Sequence, residues 1–138
     1  MRNINEIIIH CTATPYGRDV SATEIDAWHR ERGFAGIGYH FVVRLDGTLQ
    51  VGRPLDKAGA HCKGHNAHSI GIAYVGGLDV NGKPADTRTE EQKIVLQSLV
   101  CFLCSMHPSI KQIRGHRDYS NKECPCFDAQ KEYSKFVM

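Results

Sequence analysis

The sequence predicts a single α/β domain built around a mixed β-sheet, and three features carry that reading. Short β-branched runs alternate with helical patterns, two helix starts carry reciprocal capping signals, and one Asp-Gly turn joins two strands into a hairpin. Together they predict about five strands flanked by about three helices.

The elements follow in order. Residues 6–11, Glu6-Ile7-Ile8-Ile9-His10-Cys11, form an apolar run that fits a buried central strand. Ser21-x-x-Glu24 is a capping box, opening a helix that carries Trp28 and closes near Gly33. Strands over 39–45 and 48–51 flank Asp46-Gly47, which predicts a type I′ turn. Residues 54–68 are rich in Gly, Ala and His with little periodicity, and read as a long functional loop. A strand over 69–75 ends at Gly76-Gly77. Thr89-x-x-Gln92 caps the longest helix, which runs to about His107 before Pro108. Residues 112–115 form a short strand, and Asp128 begins a third helix.

At 138 residues, with no repeat or linker, the chain is expected to fold as one domain over 1–138. A net charge of +2 is too small to argue for nucleic acid. The first residues lack the basic run, apolar stretch and cleavage site of a signal peptide, and Ile7-Ile8-Ile9 is too short to span a bilayer. We therefore expect a monomer made in the cytoplasm without membrane insertion, reaching any target outside only if another factor releases it. Six cysteines without an export signal argue against a disulfide framework. Cys101-x-x-Cys104 falls in the longest helix and reads as a buried structural pair before a redox motif.

Three residues stand where chemistry is commonly placed. His10 ends the first strand, His116 follows the last, and Cys124 lies eight residues beyond it. Two imidazoles and one thiolate leave a fourth tetrahedral position open, as a catalytic zinc site requires. Taken singly, each has a plain structural reading, and spacing alone does not bring them together.

A family resemblance does. Residues 7–14 (Ile-Ile-Ile-His-Cys-Thr-Ala-Thr), Gly38-Tyr39-His40-Phe41, residues 66–72, Val75-Gly76-Gly77, Gly115-His116-Arg117-Asp118 and Lys122-Glu123-Cys124-Pro125-Cys126 occur in the order of one family's motifs. Over nearly its whole length the chain resembles the zinc N-acetylmuramoyl-L-alanine amidases related to phage amidase-type lysozymes and peptidoglycan recognition proteins.

The resemblance implies the peptidoglycan recognition protein-like fold and hydrolysis of the lactyl–L-alanine amide of peptidoglycan or muropeptide. It implies Zn2+ held by His10, His116 and Cys124, with Tyr39 and Lys122 as catalytic residues and His61 as a substrate contact. Cys126 departs from the family pattern, standing where a small residue such as Ser is common, and lies close enough to Cys124 to compete for metal. Cys11 adjoins His10, but strand alternation turns it to the opposite face. His29 and His107 read as surface or capping residues. Neither a nucleophilic Ser elbow nor a phosphate loop is present. The rival class is a non-catalytic peptidoglycan-binding module; such family members typically lack the cysteine or the tyrosine, and both are here. Phage lysin, recycling enzyme and effector remain open.

Overall fold

Six consecutive buried residues, Glu6–Cys11, form β1, and the rest of the fold is arranged about this strand. A computed structural model describes residues 2–137; the two terminal residues of the expected 1–138 domain lie outside that range. The elements are α1 (Ala22–Glu31), β2 (Phe41–Val43), β3 (Leu49–Val51), β4 (Ser69–Tyr74), α2 (Glu90–Met106), β5 (Gln112–Gly115) and α3 (Ala129–Tyr133). The strands lie in the order β3-β2-β4-β1-β5. Among the described residues only the β2–β3 strand pair is antiparallel, so the sheet is mixed, as the strand and helix pattern predicts.

Alternation along the strands assigns the two faces. Ile7, Ile9 and Cys11 of β1, Ile70, Ile72 and Tyr74 of β4, and Ile113 of β5 join one apolar cluster. That cluster is covered by Leu96, Leu99, Val100 and Leu103 of α2 and by Ala129 and Tyr133 of α3. On the opposite face α1 covers only the β2 side, packing Ile25 with Val20, Ile37, Val42 and Val75. The rest of that face is lined by Glu6, Ile8 and His10 of β1, whose partners in β4 are Ser69, Gly71 and Ala73. These small β4 residues leave space above the sheet, and the 54–68 segment fills it.

Both capping boxes form. Ser21 accepts from the Glu24 N–H and Thr89 from the Gln92 N–H. Gln92 does more than cap, because its fully buried amide also donates to the carbonyls of Val43 and Val75. One residue thereby ties α2 to the ends of β2 and β4. Asp128 caps α3 as expected.

Three expectations are corrected. The Asp46-Gly47 turn is not type I′: only Gly47 has positive φ, at 89°. Gly47 N–H donates to Arg44 and Arg44 N–H to Thr48, a three-residue loop with Gly47 in the left-handed position. Asp46 spends its carboxylate on the Thr48 N–H, which fits this loop. β2 is shorter than 39–45 because Tyr39 and His40 leave regular pairing, although their carbonyls still accept from Arg53 and Gly52. Finally, Cys101 is exposed while Cys104 is buried, so they are not a buried pair. Three helical residues turn the chain by about 300°, which carries Cys101 just past the edge of the packed stripe.

Candidate functional site

The carboxyl ends of β1 and β5 deliver two histidines to one place. His10 is the fifth residue of β1, and His116 continues the face of β5 that carries Gln112 and Arg114. Their ring centroids lie 4.6 Å apart. The loop after β5 returns to add Cys124, held by Tyr74 Oη donating to the Pro125 carbonyl at 2.6 Å and by Arg117 N–H donating to the Cys124 carbonyl at 2.6 Å. One ligand atom from each of His10, His116 and Cys124 lies within 4.8 Å of the others. Residues 114 positions apart at the extremes are thus gathered into one donor set able to hold a metal.

The surroundings favour the protonation states a metal needs. Burial holds the His10 imidazolium well below its ordinary pKa, with nearby His61 and His116 adding to the effect. Burial and then Lys122 lower His116. Both rings are therefore neutral near pH 7, with a lone pair to donate. For Cys124, the adjacent Cys11 thiol does most to lower its pKa. The Cys11 backbone N–H, donating to Sγ at 3.1 Å, and Lys122 act the same way against burial. Cys11 faces the α2 side, so it supports the thiolate without joining the donor set. Cys126 is also outside the set: with φ at 72° its thiol is directed to the Gly77 carbonyl, 3.5 Å away.

These residues floor a cleft of about 600 Å3 whose walls include Tyr39, Lys122, His61 and His29. The Tyr39 ring is half-buried and packs 5.1 Å from His10. Burial, then the neighbouring thiols, raise its phenol above the ordinary value, so it is a neutral donor at pH 7. His61 sits beneath the cleft with both ring nitrogens engaged. Nδ1 is 2.8 Å from His10 Nε2, and Nε2 is 3.1 Å from Ser69 Oγ. A β-carbon on Gly71 would come within 2.5 Å of this ring, so a side chain there would displace His61. Burial and neighbouring positive charge push His61 down to about 3.

Two histidines have structural parts that sequence reading passes over. His29 is buried, not a surface residue, and its Nδ1 accepts from the Gly38 N–H at 2.9 Å. It fixes the segment entering Tyr39, whose ring lies 5.4 Å from its own. The available signal is its position four residues after buried Ile25, on the packed face of α1. His40 Nδ1 accepts from Gly71 N–H and its Nε2 donates to the Lys57 carbonyl, pinning the loop to the sheet. Burial lowers His40 to about 4, which keeps it neutral for this pattern.

Residues 1–127 match the family described as N-acetylmuramoyl-L-alanine amidase. The chain is 39% identical over 127 residues to an endolysin of Enterobacteria phage K11, covering 92% of this chain and 83% of the relative. The solved N-acetylmuramoyl-L-alanine amidase LysC from Clostridium intestinale URNW superposes with a TM-score of 0.79 at 33% identity, covering 95% of this chain and 82% of that one. A complex of peptidoglycan recognition proteins LCa and LCx bound to tracheal cytotoxin gives 0.75 at 30%, covering 96% and 81%.

Proposed function

Because the chain belongs to the N-acetylmuramoyl-L-alanine amidase family, we propose that it hydrolyses the lactyl–L-alanine amide of peptidoglycan at a zinc centre held by His10, His116 and Cys124. The observation that carries this reading is the convergence of those three donors on the floor of an open cleft. A mixed nitrogen and sulfur set of three suits zinc and leaves a position for reactants. Bound zinc would supply Lewis acidity, polarising a carbonyl and lowering the pKa of water.

The chain's own residues divide the remaining work. Tyr39 donates its phenolic hydrogen to negative charge developing on the carbonyl oxygen, and the Lys122 ammonium, which lines the same cleft, stabilises that charge. His61 acts through His10 and not as the substrate contact that the family resemblance implies, since a substrate would have to break one of its two ring contacts. With His10 Nε2–H donating to His61, His10 Nδ1 is left to ligate, and Ser69 fixes the His61 tautomer in turn. Arg32, Lys63 and Lys122 give the cleft a cationic rim that suits the carboxylates of a peptide stem. The reading takes the chain to act as a monomer through a single catalytic domain. Peptidoglycan outside the membrane would be reached after release by another factor.

Mass spectrometry of purified muropeptides after incubation with the protein tests the reading. The expected products are a stem peptide with a free L-alanine amine and a glycan with a free lactyl carboxylate. Cleavage at any other bond, or intact muropeptides at all enzyme concentrations, would overturn it.

A further inference from the structure

At the other end of β1 a second group of potential ligands is assembled, which the amidase reading does not use. Glu6 begins the strand and His10 lies four residues on, which separates the two groups by about 13 Å along β1. The Glu6 carboxylate is fully buried. Its Oε1 contacts His65 Nδ1 at 3.0 Å and His68 Nε2 at 2.9 Å. Its Oε2 accepts from Tyr119 Oη at 2.7 Å and from Gln112 Nε2 at 2.9 Å. Among the described residues no Lys or Arg pairs with this carboxylate; its ion partners are the two histidines.

The arrangement has a local cause. Asn66–His68 is a 3-10 helix with His65 at its N-cap. Three residues per turn bring positions three apart into line, so His65 and His68 face Glu6 together. Tyr119 stacks on the His65 ring with centroids 3.7 Å apart and planes 22° from parallel, which holds the imidazole in place. Burial pushes Glu6 upward, but hydrogen bonds from Tyr119, His65 and His68 outweigh it and keep the carboxyl ionised.

The geometry points to a second metal site, formed by Glu6, His65 and His68, that takes a divalent cation of zinc-like ligand preference. One carboxylate and two imidazole donors lie within 4.8 Å of one another. Tetrahedral zinc with bonds of about 2.0–2.1 Å places adjacent donors about 3.3 Å apart. Opening the observed 2.9 and 3.0 Å contacts by a few tenths of an ångström, and bringing the two imidazole nitrogens, within 4.8 Å of each other, to a similar spacing, admits the ion. Two nitrogens and one oxygen favour Zn2+, Co2+ or Ni2+ over Ca2+ and Mg2+, which demand oxygen shells. Tyr119 and Gln112 on the second carboxylate oxygen supply the outer hydrogen bonds that orient a ligating carboxylate. The side chains of His65 and His68 are 28% and 35% exposed, which gives the ion a way in and leaves room for water as a fourth ligand. Bound there, the ion clamps the end of the 54–68 loop, and hence the segment carrying His61, to the start of β1.

The test is metal stoichiometry of the full chain, stripped with chelator, dialysed against zinc and measured by elemental analysis. Wild type should hold about two zinc ions per chain, and Cys124→Ser and His68→Asn about one each. The combined variant should hold none. Cobalt separates the centres spectroscopically: the thiolate charge-transfer band should vanish in Cys124→Ser and persist in His68→Asn. As a check on folding, zinc should raise the Tm of Cys124→Ser, and His68→Asn added to it should abolish the rise. A single equivalent in wild type that His68→Asn leaves in place would overturn the proposal. So would a second equivalent that survives both His65→Asn and His68→Asn. If instead the count falls with His68→Asn but is insensitive to Cys124→Ser, the zinc assignment at His10, His116 and Cys124 fails and this one stands.

Discussion

The two faces of β1 are covered in different ways. Ile7 and Ile9 meet α2 and α3 through apolar contact alone, and only Cys11 at the end of that face adds a polar contact, to Cys124. Glu6, Ile8 and His10, one residue out of phase, lie under a loop attached by named hydrogen bonds: His61 to His10 and Ser69, the Lys57 carbonyl to His40, His65 and His68 to Glu6. Apolar burial is non-directional and scales with area, so the helical face contributes stability that small shifts do not forfeit. Hydrogen bonds and metal ligation depend on direction, so the loop face can aim individual atoms. The same strand therefore separates stability from chemistry by a one-residue alternation.

Substitutions should break the two faces differently. The largest effect on activity is expected at the ligands: His10→Ala, His116→Ala and Cys124→Ala should each bring muropeptide turnover to background and lose the zinc at that centre. Cys126→Ser should retain zinc and most activity, because its thiol is directed to the Gly77 carbonyl. The reverse pattern at the two cysteines would exchange their roles.

Next come the cleft walls. Tyr39→Phe and Lys122→Ala should each lower kcat by about 10²–10³-fold with zinc content and Tm unchanged. Wild-type turnover in Tyr39→Phe would reduce the tyrosine to packing. His61→Ala should have a smaller effect, about 10–100-fold in zinc affinity and activity. His61→Gln, which keeps an acceptor for His10, should recover part of the loss. A change in KM alone, with zinc affinity intact, would restore His61 to direct substrate contact. On the helical face, Ile9→Ala should cost about 2–5 kcal/mol of stability by opening a cavity, measured by denaturant unfolding. The specific activity of the folded protein should stay near wild type, and a loss of kcat without a loss of stability would erase the contrast between the faces.

Much of the scaffold was legible in sequence because its signals are local. Both capping boxes lie within four residues, the Ile-rich run of β1 declares its burial, and the 112–115 strand coincides with β5. The turn at Asp46-Gly47 was misread because the same dipeptide serves two loop lengths, and the choice rests on how Arg44 pairs with Thr48. The His10, His116 and Cys124 set was legible only through family motifs, since nothing local links His10 to Cys124. His29 left only its spacing from Ile25 as a signal, and the Glu6–His65–His68 group left none. Their partners lie 9, 59 and 62 residues away, and pairing at such distances is decided by the packing of the loop on the sheet.

The central claim is that His10, His116 and Cys124 hold a zinc ion required to cut the lactyl–L-alanine amide. It is tested most directly by removing metal from the wild-type chain and returning zinc in steps while muropeptide products are followed by mass spectrometry. The account predicts no cleavage in the stripped protein and recovery of L-alanine-terminated stem peptide as zinc fills the thiolate-containing centre, with none in Cys124→Ser at any zinc level. Full turnover by the stripped protein, or equal recovery in Cys124→Ser, would contradict it.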